Sequence, residues 1–378
     1  MKVPLLDLKA QLKPLENEIK DAVCEVVSST RYIMGPKVEE LESQIAEYCG
    51  VGSGVGVSSG TDALLVSLMA LEVGHDDLVL TTPYSFFATA GAVARVGAKP
   101  VFVDIDPGTY NLDPEALKEW FSNNQDKVSK VKAIIAVHLY GQCADIEAIV
   151  KIADEYGIPV IEDAAQAIGA KYPTEGGKKK AGSFGALGCF SFFPSKNLGG
   201  VGDGGMVVSK DEKLAEKVRL LRNHGAKPKY YHSLIGGNFR LDPIQAAVIL
   251  VKLPHLDSWH QARQENAHFY DEVINTSGVV KPNIAYDREC HIYNQYVISV
   301  PEKRDDFREF LKSKDIGHEV YYPVSFHEQE CFSYLGYKLG DFPKSEQAAR
   351  STVALPIYPE LTREMQEYVV AAIEEFYG

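Results

Sequence analysis

Residues Val131 to Ala165 read VKAIIAVHLYGQCADIEAIVKIADEYGIPVIEDAA. The run opens on VKAIIAV, a near-continuous apolar stretch with the length and β-branched character of a buried strand. DIEAIVKIADEYG then reads as a helix that stops at Gly157, and IPVIEDAA as a second strand. Apolar runs without alternation, separated by a helix, mark strands buried on both faces. The unit is strand, helix, strand, and its expected home is a mostly parallel sheet covered by helices on both sides.

The same rhythm extends in both directions. Upstream, KVEELESQIAEYCG spaces Val38, Leu41, Ile45 and Tyr48 as one helical stripe, with Gly50 suited to the C-terminal cap. VGVSSG predicts a short strand, TDALLVSLMALEVG a helix, LVLTTP a strand, FFATAGAVARVG a helix, KPVFVDID a strand and DPEALKEWF a helix. Downstream, GCFSFF and GGMVVS read as two more strands with no helix between them. TEGGKKKAG, residues 174–182, concentrates glycines and lysines and is expected to be a solvated loop. DEKLAEKVRLLRNHG and DPIQAAVILVKL predict helices, the second opened by Asp242 and Pro243. From about residue 270 the pattern changes. YNQYVISV and HEVYYPV read as strands, DDFREFLKSKDIG and REMQEYVVAAIEEFYG as helices. We expect a large domain over residues 1–260, N-terminal segment included, and a smaller α+β domain over 261–378.

Bulk properties narrow the function. The chain has 378 residues, 45% hydrophobic and 24% charged, as in ordinary globular proteins. Its 39 basic and 52 acidic residues leave a net charge of −13, which argues against nucleic-acid or membrane-surface partners. No apolar run approaches the roughly 20 residues needed to cross a bilayer. The N-terminus, MKVPLLDLKAQLKPLENEIK, turns charged too early for a secretory signal. Cys24, Cys49, Cys143, Cys189, Cys290 and Cys331 include no CxxC pair and read as free thiols of a reducing cytoplasm. The ten histidines lack metal-ligand spacing, so no metal site is expected.

Ligands of doubly wound sheets bind beyond the carboxyl ends of the strands. In VSSGTDALL a strand passes through Gly60 into a helix that begins with Thr61 and Asp62. A helix N-terminus offers free N–H groups and a positive dipole end, and glycine allows close approach, so this turn suits a phosphate. A plain capped helix would carry the same residues. In VIEDAAQAIGA, Glu162 and Asp163 stand at a strand end, one turn before Gln166. An acid there suits a metal, a ribose, a protonated nitrogen or the cap of the next turn. Lys196, in CFSFFPSKNLGGVGDGGMVVS, lies between an apolar strand and a cluster of glycines. Gly200, Gly202 and Gly205 match GxGxxG, but the dinucleotide fingerprint needs a helix next, and GMVVS is strand-like. A lysine against apolar surface loses its charge more readily, and the neutral amine can form a Schiff base with an aldehyde. A phosphate-bearing aldehyde whose ring nitrogen needs an acidic partner is pyridoxal phosphate.

These residues, with RYIMGPKVEELE, TPYSFFATAGAV, LRNHG, GGNFRLDPIQAAV and VYYPVSFHEQECF, give the chain a resemblance over nearly its whole length. It resembles the DegT-type (StrS-like) sugar aminotransferases, within fold type I of the pyridoxal-phosphate enzymes. The resemblance implies an α/β fold: a three-layer, mostly parallel sheet of the seven-stranded type, with a smaller C-terminal α+β domain. It implies that Lys196 holds pyridoxal phosphate as the internal aldimine and moves the proton between coenzyme and substrate. Asp163 would pair with the ring nitrogen, Gln166 with the phenolic oxygen, and Phe86 would stack on the ring. Gly60, Thr61 and Ser191 would hold the phosphate, joined by Asn238 from the partner subunit of a homodimer. Arg240, Tyr322 and His327 are candidate substrate contacts. The implied reaction is ping-pong transfer of an amino group from an amino acid, L-glutamate, to a UDP- or dTDP-linked 3-keto sugar. Relatives that dehydrate sugars carry histidine in place of the lysine, and many relatives have Pro-Leu where Ser325 and Phe326 stand. A dehydratase, an amino-cyclitol aminotransferase and a regulatory coenzyme binder remain the alternatives.

Overall fold

In a computed structural model describing residues 1–300 and 302–378, the alternating region yields β1 (Ser53–Val57), β2 (Leu78–Thr81), β3 (Lys99–Phe102), β4 (Val131–Val137) and β5 (Val160–Asp163). β6 (Lys171–Thr174), β7 (Gly177–Lys180), β8 (Leu187–Ser191) and β9 (Gly205–Ser209) follow. Seven of these form one sheet in the order β1-β9-β8-β5-β4-β2-β3. The run from β3 to β8 is parallel, while β9 is antiparallel to both of its neighbours. The mostly parallel seven-stranded sheet expected from the sequence is therefore present.

Adjacent strand residues point to opposite faces, and here each face meets its own apolar core. Leu80, Ile134, Ala136, Phe190, Met206 and Val208 pack with Leu41, Ile45 and Ile149. Their neighbours Val79, Ala133, Ile135, Cys189 and Val207 pack with Leu64, Leu68 and Val93. This double burial explains why VKAIIAV lacks alternation, and it makes the three layers. The helix Ile146–Glu155 after β4 begins at Asp145, whose carboxylate accepts the Ala148 N–H, and it buries Ile146, Ile149 and Ala153.

A second core gathers Tyr270, Ile298, Phe307, Leu311, Val353, Leu355, Val369 and Ile373 around a two-stranded antiparallel sheet. That sheet consists of β10 (Tyr296–Ser299) and β11 (Thr352–Leu355). The helix Leu256–Val273 links the two bodies: Leu256 lies in the first core, Ala267 and Tyr270 in the second. Val3 also packs in the second core and bridges Ile316. No helix among the described residues is long and apolar enough to cross a membrane.

Two local expectations are corrected. TEGGKKKAG is not a loop: β6 and β7 pair antiparallel from Lys171 with Lys180 to Thr174 with Gly177. Distant partners hold this hairpin. Lys178 bridges to Asp287 and Glu289, and the Lys180 ammonium sits 3.4 Å from the centre of the Tyr48 ring. HEVYYPV forms no strand; Glu319 alone bridges Ala354, and Pro323 has no N–H to extend a ladder.

Candidate active site

The strand registers bring three predicted segments to one edge. Gly205, the first residue of β9, pairs with Val57 at the end of β1 and with Ser191 at the end of β8. A methyl group on Gly205 would stand 2.4 Å from the Ser59 carbonyl oxygen, so only glycine lets β9 start against the β1 turn. The helix Gly60–Ala70 rises from that turn, capped by Ser59, which accepts the Asp62 N–H at 3.0 Å. A methyl group on Gly60 would meet Ser191 Cβ at 2.7 Å. Gly60 and Ser191 therefore touch, and Thr61 follows in the first turn. Together they set amides and two hydroxyls at a positive helix end.

β5 ends on two carboxylates that diverge. Glu162 turns to His138, which donates from Nε2 at 2.9 Å, and accepts the amides of Gly182, Phe184 and Gly185 at 2.7–2.8 Å. His138 Nδ1 accepts the Ala144 N–H, which leaves the ring proton on Nε2. Burial pushes the Glu162 carboxyl up, but these donors outweigh it and hold it below the usual range. Its hydrogen-bonding capacity is filled, so it is structural. Asp163 points the other way, 5% exposed, with only two donors among the described residues: Thr89 Oγ1 at 2.7 Å and the Ala165 N–H at 3.3 Å. Burial pushes its carboxyl up, against the pull of Thr89, Ala165, Lys196 and His138.

Lys196 is half-buried on the loop joining β8 to β9. Phe192 closes that loop by pairing with Gly204 and Gly200. Three glycines let it fold tightly: methyl groups on Gly199, Gly200 and Gly202 would meet Pro194 O, Gln245 Oε1 and Gln245 Nε2 at 2.3, 2.6 and 2.7 Å. Side chains from elsewhere pin it. Gln245 Oε1 accepts the Val201 N–H, Lys252 Nζ donates to Gly199 O at 2.6 Å, and Asn197 donates to Ile292 O while accepting from Asn294. Burial pushes the Lys196 amine down to about 8, although the Asp163 carboxylate pulls it up. At pH 7 roughly a tenth of such amines are neutral, against about 0.03% for an ordinary lysine. Covalent trapping of pyridoxal phosphate by coenzyme-free protein should thus rise about tenfold per pH unit and level off above pH 8. A profile still climbing at pH 10 would mean that the amine is hydrated.

Gln166 joins this site to the second body. Its Oε1 accepts the Tyr140 N–H and its Nε2 donates to the Tyr322 hydroxyl, both at 2.7 Å. Tyr140 holds a left-handed backbone (φ 59), a costly conformation for a bulky residue. It is secured by that bond and by its hydroxyl contact to Tyr84 at 2.9 Å. Phe86, 62% exposed, lies one turn before Thr89, whose N–H it accepts. Arg240 bridges Val57 through its backbone, and its Nη1 donates to Asn223 at 2.8 Å. Asn238 is exposed, and its side chain has no hydrogen-bond partner among the described residues. His327 is buried, with Nε2 3.1 Å from Glu346 and Nδ1 unpartnered among the described residues. Sequence reasoning missed Thr89, Tyr140, Asn197, Gln245 and Lys252. Nothing local distinguishes them, because each acts through a partner far along the chain.

The mostly parallel seven-stranded sheet with helices on both faces is that of the fold type I pyridoxal-phosphate aminotransferases, the class of the structural neighbours. The chain belongs to the DegT/DnrJ/EryC1/StrS aminotransferase family, whose model matches residues 13–374. It is 49% identical to the pleiotropic regulatory protein of Geobacillus stearothermophilus, over 100% of this chain and 99% of that one. It is 39% identical to the UDP-N-acetyl-3-dehydro-alpha-D-glucosamine 3-aminotransferase of Acidithiobacillus ferrooxidans, over 98% of this chain and 97% of that one. The crystal structure of S. venezuelae DesV in complex with a ketimine intermediate matches with a TM-score of 0.93 at 36% identity, covering 100% of this chain and 98% of the other.

Proposed function

We propose that this protein is a pyridoxal-phosphate aminotransferase that moves nitrogen from L-glutamate to a UDP- or dTDP-linked 3-keto sugar, in the cytoplasm and as a homodimer. The donor set fits the coenzyme. A phosphate needs N–H and O–H donors, which the Gly60 turn, Thr61 and Ser191 supply. The ring nitrogen needs an acid with acceptor capacity left, and Asp163 has only two donors among the described residues. The aldehyde needs a neutral amine, and burial lowers that of Lys196. This last pairing, a desolvated amine coupled to a buried carboxylate, carries the reading.

Bound there, the coenzyme supplies an electron-withdrawing ring that holds the transferred nitrogen between two substrates. Lys196 Nζ takes the proton from the substrate carbon and returns it on the other side of the transfer, for which a pKa near the working pH is suited. Asp163 keeps the ring nitrogen charged, and Gln166 orients the phenolic oxygen. Phe86, exposed one turn before Thr89, would stack on the ring. Asn238, exposed in one protomer, reaches the phosphate site of its partner. Arg240 and Tyr322 are the contacts proposed for the sugar nucleotide, with His327, held by Glu346, as a third.

A regulatory role has the name of the Geobacillus relative in its favour. The intact proton-transfer pair weighs for turnover, since a binder has no need of it. L-glutamate alone should bleach the coenzyme's visible band and release 2-oxoglutarate, and a keto-sugar nucleotide should then restore the band. Purified protein offered glutamate and a panel of UDP- and dTDP-keto sugars, read by mass, tests the reading. No bleaching with any amino acid and no aminated sugar would overturn it.

A further inference from the structure

Asp163 is nearly enclosed, yet among the described residues its carboxylate receives a single strong hydrogen bond, from a residue 74 positions away. That donor is Thr89, fully buried in the first turn of the helix Ala88–Arg95. An ionised carboxylate can only accept, so the one hydroxyl hydrogen of Thr89 is committed to Asp163 Oδ2. Ser85 Oγ lies 3.0 Å from Thr89 Oγ1 and is itself buried. With the Thr89 hydrogen already used, Ser85 must donate in that contact. The result is a one-way relay, Ser85 to Thr89 to Asp163, in which each bond polarises the next. The relay fixes which lone pairs of Asp163 stay free.

We propose that Thr89, oriented by Ser85, is the positioning residue that keeps Asp163 ionised and aimed at the coenzyme's ring nitrogen; this rests on the pyridoxal-phosphate reading above. The other groups facing Asp163 are Lys196 on the loop after β8, His138 after β4, Cys189 on β8 and Tyr322 of the second body. None of them hydrogen-bonds to the Asp163 carboxylate among the described residues. Lys196 is consumed by the coenzyme, and His138 gives its proton to Glu162. Cys189 Sγ already contacts Ser67 Oγ, at 3.3 Å. Tyr322 accepts from Gln166 and makes no hydrogen bond to Asp163 among the described residues.

Removing the Thr89 hydroxyl leaves the carboxylate a stronger base, which draws the shared proton off the ring nitrogen. Loss of one charge-assisted hydrogen bond corresponds to about a tenfold change in that proton equilibrium. The readout is the nitrogen-15 NMR shift of ring-labelled pyridoxal phosphate in the holoenzyme, followed across pH. Wild type and Thr89→Ser should show the protonated nitrogen. Thr89→Val should move toward the unprotonated shift at every pH, the ratio of unprotonated to protonated ring nitrogen rising about tenfold, and Ser85→Ala should move the same way by less. Unchanged shifts in both hydroxyl-deleted variants would overturn the proposal. If Thr89→Val fails to fold, Ser85→Ala alone decides. Borohydride fixation of the coenzyme on Lys196 is scored in parallel; its absence from wild type would instead overturn the coenzyme reading itself.

Discussion

Lys196→Ala is expected to lose turnover by roughly 10³-fold or more, because one side chain serves both as the covalent anchor and as the proton carrier. Borohydride should then leave no coenzyme attached to the chain. The fold should survive the change. Asn197, Gln245 and Lys252 pin the loop, and the amine itself is desolvated without a hydrogen-bond partner among the described residues. The melting temperature of the coenzyme-free variant should therefore stay level or rise, since an unfavourably buried amine has been removed. A rate within tenfold of wild type would show that the proton moves through another group.

Asp163→Asn is expected to retain the coenzyme yet turn over roughly 10²–10³-fold more slowly, the scale seen when a preorganised electrostatic contact is deleted. The amide fills the same volume and can still accept from Thr89, so binding through the Gly60 turn, Ser191 and Lys196 persists. Only the negative charge goes. Coenzyme content after gel filtration, set beside kcat, separates the two effects. The same substitution has a second, signed consequence. Asp163 pulls the Lys196 amine up, so its loss should shift the pH profile for trapping by coenzyme-free protein to below 8. Near-normal turnover, or a profile displaced upward, would break the link between these two residues.

Much of this was legible in the chain. VKAIIAV and IPVIEDAA announced strands buried on both faces because their apolar residues run on without alternation, and the two cores against the sheet explain why. The GMVVS strand after the glycines excluded a dinucleotide site, and β9 is that strand. Glu162 and Asp163 could not be told apart by position, since both end β5. Their opposite facing decides: one is filled by His138 and three amides, the other is left with capacity to spare. TEGGKKKAG looked like a loop because glycines and lysines favour solvent. Its pairing depends on Asp287, Glu289 and Tyr48, which no local window contains.

The sequence by itself determined the element types of the alternating region outside the 171–180 hairpin, the strand ends at which chemistry could sit, and the candidate amine, acid and phosphate turn. These follow from periodicity and from residue types within a few positions, which act locally. Tertiary structure alone decided that β9 runs backwards to bring Gly205 between Ser191 and the Gly60 turn. It alone placed Thr89 on Asp163 and Tyr322 on Gln166, 74 and 156 residues apart in the chain. Such contacts depend on strand order and on which face each side chain takes. Both are set by how the whole chain buries its apolar surface, and no short segment carries that information.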